Sequence, residues 1–484
     1  QFYKDNLHPD NIDLNDKGVY ENIFHEGKWA GIFQFTEKGA QKFAKKAQPK
    51  SIIDIAAITS IYRPGPLSAG VDKQYVSAIN DTLSIKYLHP LVEEVTKETY
   101  GFLIFQEQIA LLAYKLGEGI TMDEANLLRK VLTKKGTGKG NEVKEEIKKK
   151  FIKGCENKDI SSESAERLWA TFEYFSGYGF NKSHAVSYSI ISFQCAWLYN
   201  YYPTEWMCSF LDREPDTRKE KAINIARSHG FSIGNIDINV SGENWEAVSD
   251  INLVAPLTTI KGLGEKAIEE IIQHRPFNTI DDLLFHPDII YRKLNKRSLT
   301  ALALGSALDS LVDERFSGDK HFFKACCEDR PKNPKKFKEN IEKYIGEGQY
   351  SKSEKINNLA EITGIFPIGL VYDDITKMKL DSRCIPPISE FDSDLGACWA
   401  IPRNINTRKS KSGKWFAIID LIDSNNVMTR LRYWNINNDT IEKEILLNEV
   451  YVIKPNYSDS WGFSTRGHVD KSWCRMTTIN TEII

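Results

Sequence analysis

Apolar residues recur at three- and four-residue spacing over Ile104 to Leu116 and Asp123 to Leu132, the period of helices with one buried face. The stretch "GYGFNKSHAVSYSIISFQCAWLYNYYP" (Gly177 to Pro203) reads as the front of a long buried helix with polar residues at its mouth. Breakers separate such pieces, as in "RPGPL" (Arg63 to Leu67) and "GEGIT" (Gly117 to Thr121). Residues 1–215 are therefore expected to be mostly helical. From 216 to about 312 short strand-like pieces such as "NWEAV" (Asn244 to Val248) alternate with short helices. Lys324 to Lys355 is polar and lysine-rich, with little apolar periodicity beyond one short helix, so 316–358 is expected to be a polar linker or mobile segment. After about residue 360 the runs become strand-like: "CWAIPRNIN", "KWFAIIDLID", "VMTRLRYW" and "VYVIKPNY", with a helix-like piece at Thr440 to Leu447. Five short strands with a helix after the third is the order of an OB barrel, which places such a fold at 359–484.

The 484 residues, 41% of them hydrophobic and 11% aromatic, are too many for one ordinary domain, and the whole reads as multidomain α+β. Lys plus Arg number 64 against 66 Asp plus Glu, so any basic surface is local. The strongest such segment is Arg129 to Lys153, with ten Lys or Arg against three Glu. Eight cysteines without a CxxC pair argue against a zinc site and a disulfide framework, and point to a reducing, intracellular setting. No apolar run reaches the roughly 18 residues of a membrane span.

Four motifs carry candidate chemistry. In "GYGFNKSH" the glycines allow a tight entry, Ser183 suits a cap, and the free N–H groups with Lys182 and His184 suit a phosphate; a plain capped helix is the alternative. "KKGTGKG" (Lys134 to Gly140) fails the nucleotide P-loop template, because Lys139 is followed by glycine. It reads instead as a basic loop tracking a phosphate backbone, or as a solvated lysine run. "LTTIKGLGEKAIEEIIQHR" (Leu257 to Arg275) sets a Gly262-x-Gly264 turn between helical pieces. That is a helix-hairpin-helix pattern, or an ordinary helical hairpin, with "LNKRSLTALALGSALDSL" (Leu294 to Leu311) as its companion. In the β region Arg408, Lys409, Lys411 and Lys414 crowd one hairpin, and Trp415, Tyr433, Trp434 and Trp461 lie on or near strands, divided between barrel core and base-stacking platform.

Taken in order, "GIFQFTEKGAQKF", "DIAAITSIYRPGPLSAG", "TYGFLIFQEQIALLA", "EANLLRKVLTKK" and "FSGYGFNKSHAVSYSIISFQCAWLYNYYPTEWM" resemble successive signatures of the bacterial replicative DNA polymerase III α subunit, family C. The helix-hairpin-helix and OB regions follow where that family has them. The resemblance implies that 1–215 is the fingers domain, 216–315 a tandem helix-hairpin-helix DNA-binding region, 316–358 the linker and 359–484 the OB domain. It implies a nucleotide pocket at Arg63, Asn181, Lys182, Ser183 and His184. DNA contacts would come from Arg129, Lys130, Lys134, Lys135, Lys139, Lys261, Gly262, Gly264, Lys266, Arg408, Lys409, Lys411 and Lys414. The reaction implied is DNA-directed nucleotidyl transfer, with dNTP as substrate and primer-template DNA as partner.

The same family holds its Mg2+ on palm aspartates that precede the matching segment, and none stands here in that place. Asp392 and Asp394 have the right mutual spacing, but lie in the connection before the barrel. No catalytic or metal-binding residue is therefore expected in this chain. A palm- and PHP-bearing segment becomes an expected partner, and the chain, which opens on Gln1, a fragment or one piece of a split enzyme that is inactive alone. No Gln-x-x-Leu-Phe clamp peptide is evident, which leaves a sliding clamp open. Departures such as Thr36 suggest a divergent lineage of viral source, in the cytoplasm of a bacterial or infected cell. A non-catalytic DNA-binding module is the competing reading.

Overall fold

The structure is a computed structural model and describes residues 8–133, 139–176, 179–364, 366–392, 396–424, 428–434, 436, 441, 445–458, 462–466 and 473–475. It divides into two compact units, Gln1–Trp206 and Met207–Ile484.

The first unit is helical among its described residues. The helix Ile52–Ile61 is apolar apart from Asp54, Thr59 and Ser60, and Ile55, Ala56, Ala57 and Ile58 are fully buried, as a helix without a single polar face requires. Ser51 caps it by accepting from Asp54 N at 3.1 Å. Along it lies the long helix Lys182–Tyr201. A second cluster packs the helices Pro90–Thr96, Gln106–Leu116, Met122–Thr133, Lys139–Glu156 and Ser162–Ser176 around Phe151, Trp169 and Phe172. "RPGPL", expected as a break, opens the short helix Pro64–Ser68; proline fits the first helical turn because its missing N–H would be unpaired there.

The second unit opens with the helix Lys219–Ser228 and a small sheet of β1 (Ser232–Gly234), β2 (Glu246–Ala247) and β3 (Asn252–Val254), in the order β1-β3-β2. The helix Glu265–His274 starts directly after the glycine turn, and Lys296–Leu304 follows. The element ahead of that turn is only a 3-10 turn, Leu257–Thr259.

The segment 316–358 is not a linker. It forms the helices Asp319–Phe323, Pro334–Tyr344 and the start of Lys352–Thr363. A few widely spaced anchors hold it: Phe316, Phe322, Phe337 and Ile356 are buried, and Phe337 meets Phe285 at 5.9 Å between ring centroids. His321 is fully buried yet satisfied, its Nδ1 accepting from Ser317 N at 2.9 Å and its Nε2 lying 2.8 Å from Ile341 O.

The last part is an OB-like β-barrel. Its strands are β4 (Cys398–Lys409), β5 (Trp415–Ile422), β6 (Thr429–Trp434), β7 (Tyr451–Ile453), β8 (Asn456–Ser458), β9 (Gly462–Arg466) and β10 (Trp473–Arg475). Their order in the sheet is β10-β7-β4-β5-β6-β9-β8. Only Lys454 and Pro455 separate β7 from β8, so one length of chain pairs with β4 at one end and β9 at the other, which curls the sheet on itself. Ala417, Ile419, Leu421, Leu431 and Tyr433 point inward, and the alternating Phe416, Ile418 and Asp420 of β5 and Arg430, Arg432 and Trp434 of β6 are less buried. Of the helix expected at Thr440 to Leu447, residues 440 and 442–444 lie outside the described residues, as does Trp461, while Ile445 N donates to Ile441 O at 2.9 Å.

Candidate nucleotide and nucleic-acid interface

Asn181, not Ser183, caps the helix Lys182–Tyr201. Its Oδ1 accepts from His184 N at 2.9 Å and from Ser183 Oγ at 2.7 Å, so Ser183 supports the cap instead of making it. The entry is fixed by a small backbone bridge: Phe180 N donates to Ile104 O at 3.0 Å and Gln106 N donates to Phe180 O at 2.9 Å. That bridge carries Glu107, the next residue, to the mouth of the helix.

There Glu107 accepts three hydrogen bonds, from Lys182 N at 2.9 Å, Asn181 Nδ2 at 2.8 Å and Arg129 NH1 at 3.1 Å. Lys182 Nζ meanwhile reaches both oxygens of Glu98, at 2.6 and 2.7 Å. The expected gathering of cations is present for Lys182 and Arg129, but each already carries a carboxylate. Glu107 sits where the helix N–H groups and dipole favour an anion. Neither glutamate stood out in the sequence, although both lie in or beside the stretch Thr99 to Ala113. Arg63 lies across the same entry, its Cζ 4.6 Å from the centre of the Phe180 ring, and burial lowers its pKa from the usual arginine value. His184 and Lys130 are exposed. Lys134, Lys135 and the side chain of Lys139 lie outside the described residues.

In the second unit, Gly262 has φ +94°, a left-handed turn conformation that glycine takes without strain. A Cβ there would stand 3.5 Å from Arg297 Nε, which places Arg297, one of the basic residues at the start of the companion stretch, across the hairpin turn. Gly264 begins the helix Glu265–His274 in extended conformation, with nothing within 4 Å of where its Cβ would be. Lys261, Lys266, Lys296 and Arg297 are all exposed around this open helix start. Glu270, buried, ties the region together: it pairs with Lys293 Nζ at 2.5 Å and accepts from Ile290 N at 3.0 Å.

On the barrel, Arg408, Lys409, Lys411 and Lys414 are exposed on the β4–β5 hairpin, and Lys409 Nζ lies 4.9 Å from the centre of the Trp415 ring. Register sets Arg408, Phe416 and Trp434 in one row across the outer face, and the Phe416 and Trp434 rings stack at 4.9 Å. Of the aromatic candidates, Tyr433 is core and Trp415 and Trp434 are half-buried on the surface. Phe416 is an addition that strand register reveals.

Residues 1–159 match the model of the bacterial DNA polymerase III alpha subunit finger domain, and residues 230–317 match a helix-hairpin-helix motif. The DNA polymerase III subunit alpha of Aquifex aeolicus is 28% identical over 459 residues, 93% of this chain and 38% of that protein. The corresponding subunit of Pseudomonas aeruginosa is 33% identical over 325 residues, 64% of this chain and 27% of its own length. That of Chlamydia pneumoniae is 33% identical over 315 residues, 63% of this chain and 24% of its own. The chain thus spans less than two fifths of these relatives. Finger-type helices, a helix-hairpin-helix match and an OB-like barrel follow one another along this chain. The chain belongs to the bacterial DNA polymerase III alpha-subunit family, with the helix mouth at Asn181 lying beyond the matched finger model. The relatives are bacterial, and nothing among them supports a viral source.

Proposed function

We propose that this chain is the fingers and DNA-binding portion of a family C DNA polymerase, which binds incoming dNTP and primer-template. The observation that carries the reading is the built anion site at the mouth of Lys182–Tyr201, where the Arg129 guanidinium, the Asn181 amide and the backbone N–H of Lys182 converge on one carboxylate. A triphosphate has the charge and the acceptor oxygens to take that place. In the reaction, the primer 3′-hydroxyl oxygen bonds to the α-phosphorus, its proton leaves, and the bond to the β-phosphate breaks to release pyrophosphate. This chain's share is to hold and orient the triphosphate and to grip the duplex at the hairpin turn. Among the described residues no three His, Cys, Asp or Glu side chains stand together to hold a metal ion. The family resemblance assigns the magnesium of the reaction to palm aspartates on another segment.

Single-nucleotide primer extension with magnesium tests this. The chain is expected to be silent alone and active with a palm-bearing segment of the same polymerase, and extension by the chain alone would overturn the assignment of the palm elsewhere. A DNA-binding module that no longer serves synthesis is the second reading, favoured by the neutralised state of Lys182 and Arg129. It predicts silence in both mixtures.

For the barrel, replacing Arg408, Lys409, Lys411 and Lys414 together by alanine is expected to weaken single-strand binding. The slope of log affinity against log salt should fall by about 0.7 for each phosphate that is no longer neutralised. An unchanged slope would remove the hairpin from the interface. Truncation before the barrel is a poorer test, because a cut at Asn358 severs the helix Lys352–Thr363.

A further inference from the structure

Phe180, His184 and Tyr188 recur at four-residue intervals, so they share one stripe of the helix Lys182–Tyr201 and its entry. Their rings touch in series: Phe180 to His184 at 5.5 Å, His184 to Tyr188 at 4.2 Å, and Tyr188 to Phe33 at 5.3 Å between centroids. Arg63 closes the row over Phe180 at 4.6 Å. The outer end is open to solvent, with Tyr188 38% and Phe33 37% exposed. It is also held in place, since Ser192 Oγ, one turn beyond Tyr188, donates to Phe33 O at 2.9 Å. Two large rings kept half out of the core, in contact and fixed by a buried hydroxyl, form a ready-made flat surface.

We infer that Tyr188, with Phe33 beside it, is the stacking surface for the base of the bound nucleotide. The inference rests on the nucleotide-site reading above and adds to it a contact for the end of the ligand that carries no charge. From Asn181 to Tyr188 is seven residues, which at about 1.5 Å each sets Tyr188 roughly 10 Å along the axis from the helix mouth. A nucleoside triphosphate bridges such a distance between its terminal phosphate and its base. The phosphates then meet the helix start, and the base meets an aromatic face that accepts any of the four, because every base has a π-face.

Equilibrium binding of dATP and of inorganic tripolyphosphate to the 484-residue chain separates the two claims. Tyr188→Ala is expected to weaken dATP binding by about tenfold and to leave tripolyphosphate unchanged, and Tyr188→Phe to restore dATP binding, since the ring and not the hydroxyl stacks. If Tyr188→Ala changes neither ligand, or weakens both equally, the stacking role is overturned while the phosphate site stands. If the unaltered chain binds neither ligand, the nucleotide site itself fails and the stacking role falls with it.

Discussion

Glu107→Gln is expected to raise the affinity of the chain for a nucleoside triphosphate, by about tenfold, whereas Lys182→Ala lowers it by about ten- to a hundredfold. The opposite signs follow from who occupies the helix mouth. In the free chain the Glu107 carboxylate takes the N–H of Lys182, the amide of Asn181 and the guanidinium of Arg129. A triphosphate arriving there must displace that carboxylate or lie beside it as a like charge. Neither is cheap where both partners are two-thirds buried; the side chains of Glu107 and Lys182 are 31% and 32% exposed. Glutamine keeps the shape and removes the competing charge. Lys182 works the other way, since its ammonium must leave Glu98 to reach a phosphate, and alanine removes a charge-assisted donor altogether. Titration of a fluorescent dNTP analogue against the three proteins checks both directions. A Glu107→Gln protein that keeps its fold and binds more weakly would show that Glu107 orders the pocket and does not compete for it.

What could be seen in the sequence and what could not divides along the range of the interactions. The mouth at Asn181 to His184 was visible because capping is local, a matter of three or four neighbouring residues. Even there the choice between Asn181 and Ser183 was not local, since both residue types cap well. It was settled by the bridge from Phe180 to Ile104 and Gln106, more than 70 residues away in the chain. Glu107 was hidden for the same reason: its partners Asn181 and Lys182 are 74 and 75 residues distant. The barrel was legible because strand alternation repeats every two residues and survives in short runs. The segment 316–358 does not read as helical because Phe316, Phe322, Phe337 and Ile356 are too far apart to register as a period, although each is an effective anchor once the segment is docked.

The second large effect concerns stability. Gly154→Ala is expected to destabilise the first unit by about 3 kcal/mol, the upper end of the usual cost of overpacking. Helix propensity alone argues for the opposite sign, because alanine in place of glycine inside a helix is worth roughly 1 kcal/mol in its favour. Packing decides against it. A Cβ on Gly154 would lie 2.2 Å from Glu118 N, 2.3 Å from Leu116 O and 2.4 Å from Gly117 C. All three are backbone atoms, and they cannot swing aside as a side-chain end would. The turn they belong to is pinned to the same helix, with Glu118 N donating to Lys150 O at 3.0 Å, and it closes the core around Leu116 and Ile120. Relief therefore requires Lys139–Glu156 to move away from the turn, which opens the packing around Phe151 and Trp169. Gly140, in the same helix, is the control: its Cβ would meet only Val131 Cγ1, at an ordinary 3.6 Å. Gly140→Ala should be neutral or stabilising by up to about 1 kcal/mol. Thermal unfolding of the two variants against the unaltered chain distinguishes the cases by sign, and a Gly154→Ala protein as stable as its parent would mean that the helix and the turn do not approach as closely as described.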